Sequence, residues 1–179
     1  TASDNCTANP TKTQSPAIVT TITGTQIVTL TATDAAGNTG LCSFSVTVVD
    51  QTAPTITCPA NASVAASANC TATLASYTAA ATASDNCTAN PTKTQSPAEG
   101  TTITGTPIVS KKTTDAAGNT GICSFTVTVA DQTAPTITCP ANASVAAGAN
   151  CTATLASYTA AATASDNCTA NPTKTQSPA

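Results

Sequence analysis

The chain has 179 residues, of which 7% are charged and 2% aromatic, and its net charge is −3. A nucleic-acid interface needs a basic patch and stacking aromatic rings, so this composition excludes one. His and Arg are absent, which removes the usual acid–base groups of an enzyme, and no apolar run approaches the roughly 18 residues of a membrane span. We therefore expect a non-enzymatic protein with no cofactor requirement.

The sequence repeats itself at a fixed spacing. Thr1–Cys6 recurs at Thr82–Cys87 and at Thr163–Cys168, which defines an 81-residue repeat. At this offset, 87 of the 98 positions that can be compared are identical. Self-similarity at a fixed period is typical of repeat arrays. The repetition predicts tandem copies of one small domain.

Residues 1–49 predict the C-terminal part of such a repeat. The polar run Asn9–Pro16 favours an extended segment, and apolar residues on both sides of Gly24 mark two short strands. Asp34–Asn38 supplies the Gly and Asn that a hairpin turn requires, and a further strand runs through Val48. We expect four strands in this segment.

Residues 50–130 predict one complete repeat. Residues 54–58 and 70–74 form short strand patterns, and residues 123–129 place apolar side chains on alternate positions, the period of a half-buried strand. The Ala-rich run 77–83 is too short and too interrupted for a helix, so we expect a loop there. About seven short strands with regular turns favour an all-β sandwich.

Residues 131–179 repeat the first part of that unit and predict the N-terminal part of the next one. Because the chain starts and stops at the same phase of the repeat, we expect a window cut from a longer polymer. The strands that the two partial repeats lack would then come from neighbouring polypeptide.

Lys111 stands where the first copy has Leu30, within a strand pattern whose neighbours point to the core. A buried ammonium group costs several kcal/mol unless it reaches solvent, so this residue favours a strand at the rim of the sheet.

Each repeat contains four cysteines, which are Cys58, Cys70, Cys87 and Cys123 in the complete copy. So short a unit, with few large apolar side chains, buries too little surface to offset its ordering entropy. An even cysteine count in such a unit indicates two disulfides and an oxidising compartment. Zinc is the rival interpretation, but the chain has no His and no CxxC pair. Four cysteines allow three pairings.

Several motifs together resemble the hyalin repeat (HYR) domain. They are Asp50, Thr55-Ile56-Thr57-Cys58-Pro59-Ala60-Asn61, Asp85-Asn86-Cys87, Ser96-Pro97 with Gly100-Thr101, Thr114-Asp115-Ala116-Ala117-Gly118-Asn119 and the strand that begins at Cys123. The resemblance implies tandem immunoglobulin-like sandwiches in extracellular adhesion and matrix proteins. It implies no catalytic residues. The first copy departs from the family with Ile18-Val19 in place of a Gly-Thr turn.

An immunoglobulin-like sandwich can place its first and last strands side by side, which predicts a nested disulfide pattern. The expected pairs are Cys58 with Cys123, Cys70 with Cys87, and Cys151 with Cys168. The resemblance agrees, because simpler family members keep the outer pair alone. Cys6, Cys42 and Cys139 should lack partners inside the chain.

Asn-x-Ser/Thr sequons recur three times per period and are candidate glycosylation sites. They lie at Asn5, Asn61, Asn69, Asn86, Asn142, Asn150 and Asn167. We expect glycan near Cys70 and Cys87, and the many strand Thr residues offer a second route through O-glycans. The alternative is that Thr is simply a good surface residue for a strand.

Recurring acidic residues are weak calcium candidates, with no firm metal site among them. The set in the complete copy is Asp50, Asp85, Asp115 and Asn119, and its equivalents are Asp4, Asp34, Asn38, Asp131 and Asp166. Such oxygens bind Ca²⁺ well, and a cation between domains would stiffen the junction. The alternative is that each Asp caps its own turn.

The sequence therefore predicts a structural, non-catalytic repeat of a long secreted fibre or cell-surface stalk, glycosylated and associated with other copies of itself. The alternative is an adhesin or carbohydrate-binding module that presents a binding loop. A binder should vary its loops between copies, whereas the DAAGN and SDNCTANP loops are unchanged.

Overall fold

The computed structural model describes residues 1–178, and these residues form strands and turns with no helix among them. The chain divides into two compact units, Thr1–Thr52 and Ala53–Ala179. The second unit contains residues on both sides of the predicted boundary at 131. Contacts between the complete repeat and the segment that follows it therefore belong to this unit.

The first unit is an antiparallel sheet of three strands in the order β1-β2-β3. The strands are β1 (Thr11–Ser15), β2 (Thr25–Thr33) and β3 (Thr39–Thr47). Asp34–Asn38 makes the predicted hairpin turn, in which Gly37 has a φ of 89°. The fourth predicted strand, around Ile22, is not formed.

The second unit supplies the reason for that missing strand. Ile103, which is equivalent to Ile22, lies in β9 and pairs with Ala72 of β6. The first unit has no segment equivalent to β6, so Ile22 has no strand with which to pair. A two-residue strand exists only where a neighbour completes its hydrogen bonds.

The second unit contains ten strands among the described residues. They are β4 (Thr55–Thr57), β5 (Ala62–Ala65), β6 (Ala72–Thr73), β7 (Thr82–Ser84), β8 (Thr92–Ser96), β9 (Thr102–Ile103), β10 (Ile108–Thr114), β11 (Thr120–Ala130), β12 (Thr136–Thr138) and β13 (Thr163–Ser165). One sheet has the order β5-β11-β10-β8, and the pairs β4-β7, β6-β9 and β12-β13 form three small sheets. This all-β arrangement confirms the predicted fold class.

The core of the second unit packs against one face of the four-stranded sheet. Its buried residues are Leu74, Ile103, Val109, Phe125 and Val127. The ring of Tyr77 meets the ring of Phe125 edge to face at 5.0 Å. The run that begins at Tyr77 forms turns and then β7, so no helix forms there, as predicted.

The prediction that Lys111 lies in a strand at the rim of the sheet is wrong. It lies in β10, which is hydrogen-bonded to β11 on one side and to β8 on the other, and its side chain has no exposed surface. Its Nζ donates a hydrogen bond to Gln95 Oε1 over 3.2 Å. Burial, followed by the positive charge of Lys93, lowers the pKa of Lys111. The ammonium group is accommodated by a polar partner and not by escape to solvent.

Candidate functional site

The outer disulfide of the complete repeat joins Cys58 to Cys123, as predicted, with Cα atoms 5.8 Å apart. Cys58 directly follows β4, and Cys123 lies in β11. The parallel pairing of β5 with β11 brings the start and the end of the repeat together. The bond therefore closes the sandwich at the point where its first and last strands meet.

The second disulfide corrects the nested scheme. Cys70 is bonded to Cys168, with Cα atoms 4.8 Å apart, and not to Cys87; Cys151 is accordingly not bonded to Cys168. Cys168 follows Cys87 by one period of the repeat, so it occupies the same position in the next copy. The prediction chose the right two cysteine positions but wrongly placed both in one repeat.

Local backbone geometry explains why Cys70 can reach another copy. Ser67 and Thr71 close a tight turn through the bond from Ser67 N to Thr71 O, at 2.7 Å. Cys70 sits in this turn with a φ of 57°, in the left-handed region. The turn is on the surface, where the next repeat meets it: Asn167 Nδ2 donates a hydrogen bond to Ser67 O over 3.0 Å.

Five cysteines of the described chain are not joined in disulfides, namely Cys6, Cys42, Cys87, Cys139 and Cys151. The absence of a bond at Cys6, Cys42 and Cys139 agrees with the prediction. Cys87 Sγ accepts a hydrogen bond from Asn86 Nδ2 over 3.2 Å. The same contact occurs at Cys168, where Asn167 Nδ2 lies 3.4 Å from the sulfur.

The acidic residue of each DAAGN loop organises its own turn. Asn119 donates its backbone N–H to Asp115 Oδ1 and its Nδ2 to Asp115 Oδ2, each over 2.8 Å. Burial raises the pKa of Asp115, but the hydrogen bonds from the side chain and backbone of Asn119 and from the turn backbone outweigh it, so the pKa is lowered. Asp34 and Asn38 repeat this geometry, and the Asn38 side-chain hydrogen bond is the main cause of the lowered pKa of Asp34.

The acidic residue of each SDNCT loop caps the loop in the same way. Asp85 Oδ2 accepts the N–H groups of Cys87 and Thr88 over 3.0 and 2.9 Å. Thr88 Oγ1 then accepts the N–H of Ala116 over 3.1 Å, which ties this loop to the DAAGN turn. The first unit repeats the tie between Thr7 and Ala35.

The predicted calcium ligands of the complete copy lie together only in part. Asp85 and Asp115, which both belong to the second unit, place carboxylate oxygens within 4.8 Å of each other. Asn119 instead directs an N–H group of its side chain, and not its oxygen, toward Asp115. The predicted ligands also cap turns, since Asp50 Oδ1 accepts the N–H of Thr52 over 3.0 Å. Calcium binding by the predicted ligands stays a prediction, and titration with Ca²⁺ followed by thermal unfolding tests it.

The third copy retains the acidic cap at its equivalent position. Asp166 Oδ2 accepts the N–H groups of Cys168 and Thr169 over 2.9 and 2.8 Å. These two bonds are the main causes of the lowered pKa of Asp166. The cap thus holds the cysteine that forms the bond between repeats.

The sequons differ in how accessible their side chains are. Six of the seven Asn residues are exposed: Asn5, Asn61, Asn69, Asn86, Asn142 and Asn150. Asn167 is half-buried and uses its Nδ2, the atom to which a glycan would be attached, to bond Ser67 O. Asn69 and Asn167 thus lie next to the two cysteines of the Cys70–Cys168 bond, but only the Asn69 side chain is exposed.

The second unit has the architecture of an immunoglobulin-like module, because small sheets enclose one core and a disulfide joins its first and last strands. Residues 49–129 match the family model of the HYR domain, which confirms the resemblance found in the sequence. A comparison with curated proteins gave no match. HYR domains occur in extracellular proteins, and the disulfides fit that location. Within residues 1–178, we find no helix with the length and apolarity needed to cross a bilayer.

Proposed function

We propose that this chain is a structural, non-catalytic repeat of a long secreted fibre or cell-surface stalk, in which copies of the same domain follow one another and carry glycans. The observation that carries the proposal is a comparison of two copies of one sheet. Phe44 is 50% exposed in the first unit, whereas its equivalent, Phe125, is 5% exposed in the second. Val46 and Val127 differ in the same way, at 37% and 0%.

In the second unit, a segment of the chain covers the sheet face that is exposed in the first unit. This segment indicates what kind of chain could pack on the exposed face. Leu74 and Tyr77 precede β8, β10 and β11 in sequence and pack against the core face of their sheet. An apolar face this exposed is a site of interaction in a soluble protein. The best complement to it is another copy of that preceding segment, because the two sheets have nearly the same sequence.

The unchanged loops also support a structural role. The DAAGN and SDNCT loops are identical in the two copies that contain both, and the Thr hydroxyl of the SDNCT loop accepts a backbone N–H of the DAAGN loop in each copy. A carbohydrate-binding or adhesive loop would present such groups to a ligand. Their internal use favours architecture over the alternative function as a binding module.

Electron microscopy of the native material tests the proposal. We expect long filaments whose axial repeat equals one or two domains, with mass in excess of the polypeptide from glycans on exposed Asn or Thr residues. Isolated short rods or globular particles would refute the fibre. Selective binding of the 179-residue chain to an immobilised oligosaccharide, lost when loop residues are changed, would instead support the binding module.

A further inference from the structure

One disulfide of this protein connects consecutive repeats. Cys70 belongs to the copy at residues 50–130, and Cys168 belongs to the copy that begins at 131. The bond spans the junction between the copies, with 98 residues of separation. It is accompanied by the hydrogen bond from Asn167 Nδ2 to Ser67 O, which joins the same two copies beside the sulfur atoms.

One side of this contact is the turn that contains Cys70. The third copy has an equivalent turn with the same conformation. Cys151, which is equivalent to Cys70, has a φ of 55°, against 57° for Cys70. Its turn is closed by the bond from Gly148 N to Thr152 O over 2.8 Å, as Ser67 and Thr71 close the earlier turn. The change of Ser67 to Gly148 therefore leaves the cysteine in the conformation that forms the bond.

The other side of the contact is the loop that contains Cys168, and the loop that contains Cys87 has the same geometry. Its N–H bonds Asp85 Oδ2 over 3.0 Å, and the equivalent bond from Cys168 to Asp166 measures 2.9 Å. The neighbouring Asn residue donates Nδ2 to the sulfur in both copies. Cys87 and Cys168 are thus held in the same way.

The repeat period predicts a disulfide partner for each of the remaining five cysteines. Shifting the Cys70–Cys168 pair by whole periods gives Cys6 and Cys87 partners in the preceding repeat, and shifting the Cys58–Cys123 pair gives Cys42 a partner in the earlier part of its own repeat. A shift in the other direction gives Cys151 a partner in the following repeat and Cys139 a partner in the later part of its own repeat. None of these five partner positions falls within residues 1–179, which accounts for all five cysteines outside the two disulfides.

We propose that each repeat is joined covalently to the next by a disulfide of the Cys70–Cys168 type, so that Cys87 bonds the preceding repeat and Cys151 bonds the following one. This inference rests on the proposed array, because Cys87 and Cys151 need neighbouring repeats. The partner in each case is another copy of the same repeat sequence.

The chemistry is thiol–disulfide exchange. Two cysteine thiols give up two protons and two electrons and form one S–S bond. A small-molecule or enzyme disulfide accepts them and leaves as two thiols. An extracellular oxidising environment supplies such disulfides. The product is a chain in which adjacent repeats stay linked even after the backbone between them is cut.

Digestion with a protease that cleaves before Asp separates the possible pairings, after alkylation of thiols and without reduction. Cys58 and Cys70 fall in fragment 50–84, Cys87 in 85–114, Cys123 in 115–130 and Cys168 in 166–179. For the 179-residue chain we expect 50–84 linked to both 115–130 and 166–179. A link from 50–84 to 85–114 would overturn the proposal.

Two single variants of the same chain provide matched controls. Cys87→Ser should leave the link between 50–84 and 166–179 unchanged, whereas Cys168→Ser should expose the Cys70 thiol to alkylation. The nested scheme predicts the opposite outcome, in which Cys87→Ser exposes Cys70. The retained Cys58–Cys123 link reports in each variant that the domain has folded.

A longer chain tests the extension to further repeats. Adding residues 99–179 once more at the C-terminus supplies the missing partners of Cys139 and Cys151. We expect fragment 131–165 to become linked to the added copy of 166–179. Alkylation of Cys151 in a chain where Cys139 is bonded would refute the inference. The same links in native material without filaments would refute the proposed fibre alone, and filaments with links inside single repeats would refute this inference alone.

Discussion

Replacing Lys111 with methionine should stabilise the second unit. The Lys111 side chain is fully buried in β10, and its Nζ has Gln95 Oε1 as a hydrogen-bond acceptor at 3.2 Å. That oxygen also accepts the N–H of Tyr77 over 2.8 Å, and Gln95 Nε2 bonds Ala75 O. Removing the ammonium group therefore leaves Gln95 with its other partners and creates no unsatisfied acceptor.

The magnitude follows from exchanging a desolvated charge for an apolar side chain of similar volume and shape. Replacing a buried ion pair by apolar residues of similar volume is neutral or stabilises proteins by about 1–4 kcal/mol, and here the lost hydrogen bond offsets about 1 kcal/mol of the gain. We expect Lys111→Met to raise the free energy of unfolding by about 1–3 kcal/mol. For a unit of this size, each kcal/mol raises Tm by roughly 3–6 °C. An apolar residue, Leu30, already occupies the equivalent position in the first copy.

The pH dependence gives a second signature of the same group. Because the pKa of Lys111 is lowered in the folded state, the unfolded chain binds more protons than the folded chain between that lowered pKa and the ordinary value of 10.5. The stability of the unchanged protein should therefore rise with pH across this window. Lys111→Met should remove that rise.

Thermal unfolding followed by tyrosine fluorescence measures both effects, because Tyr77 and Tyr158 lie in the second unit. Thiols are alkylated first so that disulfides do not exchange at high pH. Lys112→Met is the matched control, since Lys112 is the exposed neighbour of Lys111 and its replacement should change stability by less than about 0.5 kcal/mol. A lower Tm for Lys111→Met with an unchanged Tm for the control would refute the reasoning.

Three further predictions address the core, the turns and the glycans. Phe125→Ala should destabilise its unit by about 3–5 kcal/mol in urea unfolding because its ring is buried, whereas the exposed Phe44→Ala should cost much less; equal effects would contradict the comparison of the two sheets. Because hydrogen bonds lower the pKa of Asp115, stability should fall as pH drops below the ordinary value of 3.8, and Asp115→Asn should show a smaller fall; parallel acid-unfolding curves would refute this role. Glycopeptide mass spectrometry of native material should find glycan at Asn69 and not at Asn167, whose Nδ2 is bonded, and the reverse occupancy would contradict the contact between Asn167 and Ser67.

Local pattern in the sequence determined much of this protein. Alternating apolar residues predicted β11, and Gly118 with Asp115 predicted the hairpin turn, because strand period and turn geometry depend on a few adjacent residues. The Cys58–Cys123 bond could also be predicted from the sequence, since it follows from an immunoglobulin-like order of strands. The repeat period and the HYR motifs could be read from the sequence directly.

Tertiary structure decided the features that depend on distant neighbours. Ile22 and Ile103 lie in the same local sequence, Thr-Thr-Ile-Thr-Gly-Thr, yet only Ile103 forms a strand, because β6 is present beside it. Lys111 is buried in a central strand because Gln95 satisfies its ammonium group, and nothing in the local pattern reveals that partner.

The second disulfide shows the same limit most clearly. Cys87 and Cys168 lie in identical local sequences, so no local rule distinguishes them as partners of Cys70. The choice depends on which copy of the SDNCT loop lies within bonding distance of the turn that contains Cys70, and packing of consecutive repeats brings Cys168 there. Sequence identity between repeats specifies which cysteine types react, whereas three-dimensional proximity specifies which copies do, because an S–S bond forms only between atoms about 2 Å apart.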